Sequence, residues 1–220
     1  MFIKIILNNN KNVMTLSKSG FTLVEALVSI SILMVAIAGP MTIAQKSLSS
    51  AILSKDQMTA SFLAQDGLEA VKNLRDQVVL NSALGDTDWL SGLSDCICID
   101  ENECNLDNLS LAKYCNIDTT LDNLTDIDAI RAKGENANPL LFLTDSETGN
   151  FVKYGLSAGN LGSADSKFSR YINIRQSPNN DNPNEAVVTV RIVWNSATGE
   201  QHVEIKNFIY NYSANIETEQ

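Results

Sequence analysis

The chain has 220 residues, with 16 lysines and arginines against 26 aspartates and glutamates, a net charge of −10. That length suits one anchor and one soluble domain of ordinary size. The acidity excludes a direct grip on nucleic acid, which needs a basic stripe to neutralise phosphates.

Lys4, Lys11 and Lys18 are the only charged residues before Gly20, and an apolar run then extends from Phe21 to Ala44 with Glu25 as its one charge. As helix, those residues span ~36 Å at ~1.5 Å each, enough to cross a bilayer core of ~30 Å. Positive charge ahead of the run keeps the leader cytoplasmic and sends the remainder outward. A secretory signal would carry its cleavage site after the apolar core, whereas here the glycine precedes it. An ionised carboxylate within hydrocarbon is costly, so Glu25 reads as a functional acid in need of a partner.

The string Lys18-Ser-Gly-Phe-Thr-Leu-Val-Glu25 at the head of this run resembles the cleavage and methylation signal of type IV prepilins and type II secretion pseudopilins. The resemblance implies that a prepilin peptidase cuts between Gly20 and Phe21 and methylates the new amino terminus at Phe21. It also implies that Glu25 neutralises the N-terminus of a neighbouring subunit during assembly. Residues 1–20 are then a removed cytoplasmic leader, and Met14 offers a second start that leaves the cut site unchanged. Without the three leader lysines, 13 basic residues face 26 acidic ones, a net charge of −13.

Residues 21–44 form the transmembrane and assembly helix. Gly39-Pro40 interrupts it, because proline removes a backbone hydrogen bond and crowds the preceding turn, so a kink or local melting is expected there. From 45 to 80 the pattern turns amphipathic: Leu48, Ala51, Ile52, Phe62, Leu63, Val71, Leu74 and Val78 recur at helical intervals. One helix of about 55 to 60 residues results. The stretch Phe62 to Asp76 is similar to that of PilV-like minor prepilins.

Residues 81–138 are a loop-rich segment with Trp89 and Leu90 tucked inward and one short helix near Asp126 to Ala132. It holds all four cysteines, Cys96, Cys98, Cys104 and Cys115. An even number in an exported segment points to disulfides. Cys96 and Cys98 are too close to favour each other, which leaves each joined to one of the other two. Zinc is the alternative, but the spacing matches no zinc pattern, so no metal site is assigned. Asp100, Glu101 and Glu103, with Asp122, Asp126 and Asp128, offer oxygen ligands to calcium, although no calcium loop with its turn glycine is present. A solvated acidic face is the simpler reading.

From 139 to 212 the period is two. Strands are expected at Leu140–Leu143, Phe151–Tyr154, Phe168–Arg175, Ala186–Trp194 and Gln201–Tyr212. In the last of these, a phase slip at Lys206-Asn207 suggests a bulge. His202, the sole histidine, falls on this strand as a surface residue rather than a base. Residues 213–220 are a polar tail. The fold class is α+β and pilin-like, a long N-terminal helix followed by a small antiparallel sheet.

No catalytic residue is assigned: the chain is a substrate of the peptidase, not an enzyme. The resemblance implies a structural minor pilin, PilV-like, single-pass in the membrane before assembly and then at a pilus or cell surface. Its implied partners are the prepilin peptidase, other pilin or pseudopilin subunits, the inner-membrane assembly platform and the membrane itself. A secretion or DNA-uptake pseudopilin and a pilus-tip adhesin are the alternatives.

Overall fold

The computed structural model describes residues 20–82, 89–119, 130–132, 140–145, 147–156, 161–176 and 183–212. Among the described residues one α-helix, α1 (Leu23–Ser82), precedes nine strands. In chain order these are β1 (Ile97–Cys98), β2 (Cys115–Ile117), β3 (Ile130–Ala132), β4 (Leu141–Thr144), β5 (Phe151–Gly155), β6 (Gly162–Asp165), β7 (Phe168–Gln176), β8 (Glu185–Ser196) and β9 (Gly199–Tyr210). The chain divides into two compact units between Ser50 and Ala51.

In the second unit the main sheet runs β3-β2-β7-β8-β9, with β1 also paired to β7. The β1–β7 pair is parallel while the other pairs are antiparallel, so the head is mixed rather than the purely antiparallel sheet expected. A second sheet, ordered β5-β4-β6, was only half anticipated, because β6 carries Gly162-Ser-Ala-Asp165 and has no apolar alternation to announce it.

The core lies between α1 and one face of the main sheet. Ala60, Leu63, Ala64, Leu68, Val71 and Leu74 of α1 are buried against Phe168, Ile172 and Ile174 of β7 and Val188, Val190, Ile192 and Trp194 of β8. Those helix positions recur every three or four residues, as one face of a helix must. Small residues at 60, 64 and 67 let the helix axis approach the sheet. The expected helix face was set slightly wrong: Leu48, Ile52 and Phe62 are exposed.

The opposite face of the sheet is also covered. Odd-numbered residues of β7 and β8 point there, and Asn173 and Thr189 are buried beneath the cysteine segment. Asn173 Nδ2 donates to Cys104 O at 3.0 Å, Arg191 meets Asp107 at 2.8 Å, and the Tyr114 and Tyr171 rings stack edge-on at 4.9 Å. Leu106 and Ala112 are buried in this outer layer.

Two local expectations are corrected. Residues 130–132 form β3 rather than the end of a helix, paired to β2 from Cys115↔Ala132 to Ile117↔Ile130, and residues 126–129 lie outside the described part. β9 carries no bulge at Lys206-Asn207: its register with β8 is unbroken from Glu185↔Tyr210 to Ser196↔Gly199. The apparent slip arose because Phe208 and Tyr210 are apolar residues on the outer face, 54% and 43% exposed, while Ile209 carries the inward parity and is buried.

Candidate processing and assembly segment

Gly20 and Phe21 precede the first turn of α1, which Thr22 caps. The Glu25 N–H donates to Thr22 Oγ1 at 3.3 Å, and the Ala26 N–H to Thr22 O at 3.1 Å. Thr22-Leu-Val-Glu25 is thus the threonine-to-glutamate spacing of a capping box, with an acid in the first turn where the helix dipole favours it. The spacing was legible in the sequence. The bond to Thr22 uses the Glu25 backbone N–H, and the Glu25 carboxylate stands in the first turn. A Cβ on Gly20 meets nothing within 4 Å, so no packing among the described residues demands glycine there.

Beyond the cap the helix is apolar and bare. Phe21, Leu23, Val24, Val35 and Met34 are each more than 65% exposed, and α1 is long and apolar enough to cross a membrane. Its hydroxyls are satisfied internally: Ser29 Oγ donates to Glu25 O at 2.7 Å and Ser31 Oγ to Leu27 O at 2.8 Å. Such bonding is what hydrocarbon requires of a polar side chain. The helix continues through Gly39 and Pro40, so local melting does not occur in the single chain. Thr42 Oγ1 donates to Gly39 O at 2.8 Å beside the proline.

Residues 16–39 match the prokaryotic N-terminal methylation motif. This motif supports a place for the chain among type IV prepilins and pseudopilins. No curated protein and no solved structure matches it. The family is structural rather than catalytic in general, and the motif with its apolar helix fits a membrane-anchored precursor.

The cysteines form two nested disulfides, Cys96–Cys115 and Cys98–Cys104. The outer one ties β2 to the turn before β1, and the inner one closes the loop that lies over the sheet. Among the described residues no group of three or more histidine, cysteine or acidic side chains could hold a metal ion. Asp100 Oδ1 instead accepts the N–H groups of Asn102 and Glu103, each at 2.8 Å, and Glu103 Oε2 accepts the Ile99 N–H at 3.0 Å. Asp122, Asp126 and Asp128 lie outside the described residues. His202 is exposed on β9.

The residue that sequence reasoning missed is Arg170. It occupies a core position of β7 and is 1% exposed. Its guanidinium reaches Asp66 Oδ2 at 2.8 Å, Asn116 Oδ1 at 2.8 Å, Ile117 O at 2.5 Å and Leu63 O at 3.3 Å. Burial pulls its pKa down, and Asp66 acts against that pull. One side chain therefore fastens α1, β7 and β2 together. The only cue in the sequence was its parity with Phe168, Ile172 and Ile174.

Proposed function

We propose that this chain is a structural minor pilin, PilV-like, cut by prepilin peptidase between Gly20 and Phe21, methylated at Phe21 and assembled into a type IV pilus or related filament. There it assists assembly, priming or surface display. The observation that carries the reading is the joint presence of the methylation motif at 16–39 and an apolar helix half left uncovered by the other described residues. Bare apolar surface of this extent needs lipid or other helices around it. The absence of any packing reason for glycine at 20 also supports the reading, since a peptidase that approaches the backbone supplies one.

Glu25 is the assembly residue in this account, and the head beyond α1 is what the filament displays. N-terminal peptide mass spectrometry on cells with and without prepilin peptidase tests it. The expected result is a peptide starting at methylated Phe21 that vanishes without the enzyme. An intact leader in both strains would sink the proposal.

A further inference from the structure

β9 ends the main sheet among the described residues. Beyond its last paired residue, the Asn211 N–H donates to Asn184 O at 2.8 Å. Hydrogen-bonded and non-bonded pairs alternate along an antiparallel ladder. Odd-numbered residues of β9 therefore turn their N–H and C=O groups toward β8. The even-numbered ones, Glu200, His202, Glu204, Lys206, Phe208 and Tyr210, turn theirs to the open side. Arg75 Nη1 agrees, approaching Tyr210 O at 3.4 Å.

A long open edge invites another strand, and charges ordinarily blunt it. Glu200, Glu204 and Lys206 do that against an arbitrary strand, yet they select a second β9. Antiparallel pairing of even with even residues from His202 to Phe208, clear of Tyr210 O where Arg75 binds, puts Ile205 on the two-fold axis. Glu204 then faces Lys206 of the second copy, twice over, and His202 faces Phe208, covering a ring that is 54% exposed in the single chain. Sliding the partner by two residues either way sets Glu204 or Lys206 against its own copy, which is unfavourable. Val203 and Ile205, only partly buried at the inner margin of the edge, gain apolar neighbours.

We propose that the head pairs with a second copy of this chain through β9, antiparallel and centred on Ile205, merging two main sheets into one. Asp56, Asp66 and Arg75 of α1 meet Lys167, Arg170 and Tyr210 in turn, so α1 runs in the direction of β7 and β9. The two-fold axis reverses one copy, and the two chains leave their heads at Ala51 in opposite directions. The pairing does not rest on the proposed function.

Sedimentation of the full chain in detergent tests the pairing. The native protein is expected to form a dimer. Glu204→Lys and Lys206→Glu should each weaken it at least about ten-fold. An equimolar mixture of the two variants should pair again, because each reversed charge meets the other. Glu204 also holds Arg191, so a second variant guards against a folding defect. His202→Pro removes an N–H that faces the open side and no bond to β8; it should give monomers with an unchanged circular dichroism spectrum. A monomeric native protein, a dimer indifferent to all three substitutions, or a mixture that stays monomeric overturns the proposal. An unprocessed leader in cells would overturn the pilin reading and leave the sedimentation result standing.

Discussion

A Cβ on Gly67 would lie 2.9 Å from Cδ of Arg170, and 3.2 Å from Cγ1 of Val190. The helix approaches the sheet at the point where the buried guanidinium crosses beneath it, and only a residue without a side chain leaves room. Arg170 cannot yield easily, since four partners hold its head.

Gly67→Ala is therefore expected to destabilise the head, although alanine is the better helix former by ~1 kcal/mol. Overpacking a filled site costs about 1–3 kcal/mol, so the net loss should reach up to about 2 kcal/mol by urea unfolding. A gain in stability would show that the contact is slack.

Removing the guanidinium should cost more. Arg170→Ala removes the guanidinium from Ile117 O, from Leu63 O and from Asn116 Oδ1, which keeps the Ile117 N–H at 2.9 Å, and leaves a cavity in the core, a loss of about 2–4 kcal/mol. Asp66→Asn should cost about 1 kcal/mol, because the Asp66 side chain is 47% exposed and water replaces the lost partner. Equal losses from the two would mean that the Asp66 pair, rather than the backbone acceptors, sets the energy.

The two disulfides should differ in weight. Cys96–Cys115 spans 19 residues and Cys98–Cys104 spans 6. Loop-closure entropy assigns them ~3 and ~2 kcal/mol respectively. Replacing Cys96 and Cys115 together by serine should give the lower melting temperature, with β2 losing amide protection. Replacing Cys98 and Cys104 should loosen only the outer layer, read by hydrogen exchange at Asn173 and Thr189.

Glu204 links the stability of the sheet edge to pH. Burial alone would raise its pKa, but Arg191 and Lys206 outweigh that and hold it below the ordinary value of 4.5. A lowered folded pKa contributes stability that is present above the ordinary value and is lost as pH falls through the folded one. Melting temperature should thus fall more steeply from about pH 5 to about pH 3 in the native chain than in Glu204→Gln. Parallel curves would remove Glu204 from the account.

Glu25→Gln separates capping from charge. Glutamine suits the same position of a capping box, so the helix start and cleavage after Gly20 should survive. Incorporation into filaments, measured by immunoblot of sheared pili, should fall if the charge is what assembly uses. Normal incorporation would leave capping as the sole role of Glu25.

Much of this was legible beforehand, for reasons that can be named. The motif at Lys18 to Glu25, the length of α1 and the strands β7 to β9 follow from local order and period, which one stretch of sequence carries by itself. β1, β2 and β3 did not follow, because strands of two or three residues have no period; β2 is held by Cys115 and by Arg170 from across the fold. Gly67 read as a mild weakness in a helix, since its reason lies 103 positions away in Arg170. Phe208 and Tyr210 read as a phase slip because alternation reports a face without saying which face is covered.

The outer layer of the head, residues 98 to 114, has little regular structure and rests on two covalent ties, the Asn173 and Arg191 contacts and one ring stack. Its tips, Ile99, Glu101 and Leu111, are exposed and take no part in the α1–sheet core. Substitutions there alter what the molecule shows to its surroundings without disturbing what folds it. The outward face of the head can thus change at little cost to the scaffold.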